Sequence, residues 1–147
     1  MALYRRVEKQ IVGIPATLLA EALLQAGDPS AAQTAAEEAI MLCRRTLRST
    51  YEIIAHGVLA RALLRRDGLA ARDAAEAALA EAAALIGCTG AKTLAPALCE
   101  WRAELAAALG DDVTRAQLLQ QAQHGYEEIG APGHAERVAR LLAESPR

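Results

Sequence analysis

Apolar residues recur along this chain at intervals of three and four for most of its length, the period of helices that bury one face. Leucine and alanine carry the pattern, and polar breaks interrupt it at GDPS, RDG, LGDD and GAPG. These breaks predict helices over 2–12, 15–26, 30–47, 51–66, 69–86, 92–109, 113–129 and 134–144. In the first of them Leu3, Val7 and Ile11 share a face. In the last, Ala135, Val138, Leu141 and Leu142 point inward while Glu136, Arg137, Arg140 and Glu144 point outward, as a helix closing a stack requires. The fold class is all-α.

The pattern also repeats at long range. Residues 23–40 read LLQAGDPSAAQTAAEEAI and residues 63–80 read LLRRDGLAARDAAEAALA. Leu19, Ala20, Ala22, Leu23 and Leu24 align with Leu59, Ala60, Ala62, Leu63 and Leu64. After a turn shorter by one residue, Ala32, Ala36 and Ala39 align with Ala71, Ala75 and Ala78. A weaker third copy sets Trp101 at the Leu19 position and Leu105 at the Leu23 position. Each copy reads as a hairpin of two helices. At the first turn Gly27 can take the left-handed conformation, Asp28 can cap the next helix, and Pro29 suits its first turn. A single such hairpin leaves an apolar face open, so successive copies are expected to stack. The expected units are an N-terminal helix at 1–13, repeats at 14–50, 51–90 and 91–131, and a closing helix with tail at 132–147.

The spacing of Leu19, Ala20, Leu23, Gly27, Ala32, Ala36 and Ala39 resembles a tetratricopeptide repeat in a long-period form. It is similar to the helical arrays at the C-terminal ends of large bacterial ATP-binding regulators, including LuxR-type regulators and nucleotide cyclases, and the likeness runs over about residues 14–144. The resemblance implies a right-handed α-solenoid acting as a scaffold for a protein or peptide, as the sensory or assembly module of such a regulator. It also implies that the first helix of each pair lines a concave groove. Glu21, Leu24 and Gln25, then Arg61, Leu64 and Arg65, fall at the groove positions. The large aromatic residues usual in the family are Leu or Ala here, and the family's Lys, Asn and Arg clamp for peptide carboxylates is not reproduced.

Composition sharpens this picture. Hydrophobic residues make up 53% of the 147, but aromatics only 3%, so helices must meet through small side chains. The net charge of -2 gives no reason to expect nucleic acid or anionic lipid as partner. Seven arginines between Arg44 and Arg72 face only Glu52 and Asp67, a local +5. This makes Arg61 and Arg65 candidates to hold an acidic segment through paired guanidinium–carboxylate bonds. The competing reading is that Arg61 simply pairs with Glu21 at the equivalent place on the neighbouring repeat.

Candidate chemistry is sparse. Cys43, Cys88 and Cys99 have no metal-ligand or disulfide spacing and read as small apolar residues in a reducing compartment. His56, His124 and His134 each lack a second ligand at helical spacing, and no phosphate-binding glycine motif occurs. The N-terminus carries no apolar leader, and no membrane span is evident. The sequence therefore predicts a cytoplasmic, non-enzymatic binding scaffold without metal or cofactor. Two alternatives stand beside it: a homodimer formed through Leu3, Tyr4, Val7 and Ile11 or through the closing helix, and a small-molecule pocket lined by alanine.

Overall fold

In the computed structural model, residues 13–144 are described, and all regular structure among them is helical. The helices are α1 (Gly13–Gln25), α2 (Pro29–Thr46), α3 (Ser49–Asp67), α4 (Arg72–Thr89), α5 (Ala95–Ala108), α6 (Asp112–Glu128) and α7 (Pro132–Ala143). Single 3-10 turns at Gly68–Ala71 and Lys92–Leu94 lead into α4 and α5. The expected helix over 2–12 lies outside the described residues. Gly13, expected to end the first helix, falls within α1, and Pro15, expected to open the next helix, lies in the first turn of α1. Proline is tolerated there because the first-turn amides have no partner within the helix.

The turn chemistry works as its residues dictate. Gly27 takes φ +84°, and the Asp28 N–H donates to the Leu23 carbonyl at 3.1 Å. The Asp28 carboxylate then accepts from the Ala31 N–H at 3.0 Å, capping α2. Gly110 and Asp111 repeat this arrangement before α6, where Asp111 accepts from the Thr114 N–H at 3.0 Å. The Thr114 hydroxyl, which donates to the same carboxylate at 2.6 Å, and then this backbone bond hold the Asp111 carboxyl below its ordinary range.

Consecutive helices pack against each other, and α1 also touches α3 while α3 touches α5. The even-numbered helices α2, α4 and α6 have no comparable contact with one another. One surface is therefore shared by closely spaced odd helices, and the opposite one is split by clefts between even helices. The seam residues are small: Ala32, Ala36, Ala39, Ala71, Ala75 and Ala78 are all buried. Around them run linked apolar groups, Leu24 with Val58 and Ala62, then Leu64 with Leu79 and Trp101, then Leu119 with Tyr126 and Val138.

Burial distinguishes equivalent helices. In α1 only Gly13, Thr17, Ala20 and Leu24 are buried, a single stripe, and Leu19 is 55% exposed. In α3 burial extends almost all round, because α1, α2, α4 and α5 enclose it. That enclosure takes His56 inside. Its side chain is only 5% exposed, and burial pushes its pKa below the ordinary value, against the opposing pull of Glu52.

Changing Ala32, Ala36 or Ala75 to leucine should cost about 1–3 kcal/mol by overpacking the seam, while Ala107→Leu on the exposed side of α5 should cost little in chemical denaturation. For His56, the unfolded chain binds more protons than the fold below the ordinary histidine pKa of about 6.5. Stability is accordingly insensitive to His56 above that pH and falls as pH drops below it toward the lowered folded pKa. The difference in unfolding free energy between the protein and His56→Leu should change in that window, and a flat difference between about pH 5 and 6.5 would contradict the assignment.

Candidate binding site between the helices

The odd helices enclose a cavity of about 540 Å³. Helix α1 supplies Glu21 and Gln25, α3 supplies Ile54 and Arg61, and α5 supplies Ala97, Glu100 and Trp101. Tyr126 at the end of α6 and His134 and Arg137 on α7 also line it, with residues of the turns before α5 and α7. The volume falls within the roughly 300–1,000 Å³ of typical ligand sites.

Trp101 anchors the cavity wall. Its ring packs directly on the Gly57 backbone, where an added Cβ would stand 2.6 Å from ring atoms. Glycine at this position is what lets α5 approach α3. The Arg61 guanidinium lies over the same ring with its carbon 5.6 Å from the centroid, within cation–π range. Arg61 Nε also donates to the Gly57 carbonyl at 3.1 Å, and its Nη2 donates to Glu21 at 3.2 Å. One arginine thus ties together α1, α3 and α5.

A second polar group closes the other end. Arg137 binds Glu100 in a two-pronged pair, 2.6 and 3.0 Å. Glu100 also accepts from the Tyr126 hydroxyl. Burial, followed by the neighbouring Glu100 carboxylate, pushes the Tyr126 hydroxyl pKa well above its ordinary value, so it remains a donor. The Tyr126 ring stacks on His134 at 4.9 Å, and Arg137 Nη2 lies 3.3 Å from His134 Nδ1.

Of the six residues placed on the groove by sequence, Glu21, Gln25 and Arg61 line the cavity. Leu24 and Leu64 do not: they are 3% and 7% exposed and belong to the core. The physical reason is stacking. The next hairpin covers the face on which each lies, so Leu24 meets Val58 and Ala62, and Leu64, already packed on Leu79 of its own hairpin, meets Trp101. Arg65 lies outside the cavity and binds Glu104 at 2.7 and 3.3 Å. Arg61 and Arg65 each hold a carboxylate of the chain itself, so neither is an open anion clamp. Of the seven arginines in the basic stretch, Arg44, Arg61, Arg65, Arg66 and Arg72 pair with Glu52, Glu21, Glu104, Asp67 and Glu76.

Trp101, Glu100, Tyr126, His134 and Arg137 were not singled out for the groove by sequence. The only sequence signal was the lone tryptophan at the Leu19-equivalent position; the Glu100 network joins residues far apart in the chain. Cys99 is half-buried and Cys43 buried, and burial raises both thiol pKa values. Cys88, read as a small apolar residue, is exposed. Among the described residues no three His, Cys, Asp or Glu side chains are grouped to hold a metal ion, and no helix is long and apolar enough to cross a membrane.

No protein family, curated protein or solved structure matches this chain.

The Gly57 contact has a direct test. Gly57→Ala should displace the Trp101 ring, lower stability by about 1–3 kcal/mol and shift the emission of the only tryptophan. Gly87→Ala on α4, where an added methyl meets nothing within 4 Å, should leave emission unchanged and raise stability by about 0.5–1 kcal/mol.

Proposed function

We propose that this chain is a non-enzymatic helical-repeat scaffold, a right-handed α-solenoid of three hairpins, that binds a peptide or protein segment in the cavity of its odd-numbered helices. The observation that carries this reading is the cavity itself: an aromatic wall at Trp101 and Tyr126 flanked by side chains from α1, α3, α5 and α7. Its charges cancel internally, Glu21 against Arg61 and Glu100 against Arg137. Selection by the net charge of a ligand is then weak. The fitting ligand inserts an apolar side chain beside Ile54 and Ala97 and offers backbone carbonyls to the donors of Gln25 and Arg61. Placement of the scaffold as the sensory or assembly module of a bacterial regulator rests on the sequence resemblance alone.

A second reading is favoured by one observation. Leu18 and Leu19 stand on α1 at 59% and 55% exposure, an apolar pair that a second copy could cover. Both readings are separated by one experiment. Panning a random peptide library against the full chain should yield binders that Ala97→Trp, which fills the cavity, weakens at least about tenfold at matched thermal stability. Recovery of no binder, or binders indifferent to that change, together with a concentration-dependent dimer abolished by Leu18→Glu and Leu19→Glu, would instead make self-association the function.

A further inference from the structure

On the face opposite the concave cavity, α2 and α4 part over α3 and leave a cleft of about 440 Å³. Leu59, Leu63, Ala74, Ala77 and Ala78 make its apolar lining, and the charged residues that line it, Glu37 and Glu81, are both acidic. Glu37 accepts from Gln33 at 2.9 Å and sits near Arg66, whose guanidinium is held by Asp67 and Gln33. Glu81 is exposed and has no ion-pair or hydrogen-bond partner among the described residues.

His56 forms part of this cleft and is nine-tenths buried, yet neither ring nitrogen has a hydrogen-bond partner. Glu52 Oε1 lies 3.5 Å from Nε2, at the limit of hydrogen-bond distance, and that oxygen is already taken by Arg44 at 2.7 Å. A buried imidazole without partners costs free energy that a ligand could recover. Burial keeps the ring neutral, so one ring nitrogen is an acceptor; both nitrogens are shut off from solvent as the ring stands, and a half-turn about Cβ–Cγ is the movement that re-aims them. Glu81 is close enough to bear electrostatically on the ring. An unused acceptor and an unused carboxylate beside an apolar wall together call for a donor that is positively charged and carries an aliphatic chain.

We propose that this cleft binds a primary alkylammonium group, with the ammonium between His56 and Glu81 and the alkyl chain against Leu59 and Leu63. The inference is independent of the concave cavity, since no residue lines both.

The test is titration of the full chain with butylammonium chloride, following the ring resonances of all three histidines at neutral pH and constant ionic strength. The expected result is a saturable shift confined to His56, with a dissociation constant on the order of millimolar, and no saturable shift with butanol. Glu81→Gln changes an exposed residue and leaves the fold intact, and it should weaken binding about tenfold. Nα-acetyl-lysine methylamide separates two sources of the same chemistry: tighter binding than butylammonium assigns the cleft to a lysine side chain, weaker binding to a free amine. An unmoved His56, an equal response to butanol, or undiminished binding by Glu81→Gln overturns the proposal.

Discussion

Everything in this molecule depends on how closely α3 can be approached. A chain without phenylalanine and with one tryptophan has few large apolar surfaces to bury, so its stability must come from many short contacts between small side chains. Ala32 and Ala36 on one side, Ala75 and Ala78 on another, and Gly57 under the Trp101 ring supply them. The consequence is a central helix enclosed by four neighbours. Because α1, α3 and α5 meet directly while α2, α4 and α6 do not, the same packing also creates the two kinds of surface from which function can be read.

Local grammar was legible from sequence because its causes are local. The first turn needs a residue at positive φ followed by a cap, and Gly27, Asp28 and Pro29 announce both; the alanine stripes at spacings of three and four mark the seams. Which leucines face inward was less legible. Leu19 and Leu59 occupy the same place in two similar segments, yet Leu19 is largely exposed and Leu59 half-buried, because among the described residues α1 has fewer neighbours than α3. Leu24 and Leu64 went to the core for the complementary reason. Burial in a stack is a property of the next hairpin, which the periodicity of one helix does not contain.

Electrostatics shows the same limit. The run of arginines looks like a basic surface in one dimension, but five of them meet carboxylates, Arg61 and Arg65 at separations of forty and thirty-nine residues. The exposed ones, Arg65 with Glu104, Arg66 with Asp67 and Arg72 with Glu76, contribute little to stability, typically below about 1 kcal/mol each. The effect of pairing here is on recognition. With Glu21 on Arg61 and Glu100 on Arg137, the concave cavity presents shape, aromatic surface and hydrogen-bond donors in place of a net charge. The Glu81 carboxylate, without a partner among the described residues, and the buried imidazole lie on the other face, where the even helices part. Two surfaces of different chemistry thus arise from one packing rule, close approach of odd helices and separation of even ones.

The most direct measurement of that rule is native-state hydrogen exchange resolved by residue. Amides buried on all sides open only with global unfolding, whereas those of helices covered on one face open at lower cost. The account predicts that the slowest amides cluster in α3 around Val58 to Leu64, with faster exchange in α1 and α7. Protection that is greatest in α1 or α7, or uniform from one end of the chain to the other, would contradict a fold organised around the enclosed central helix.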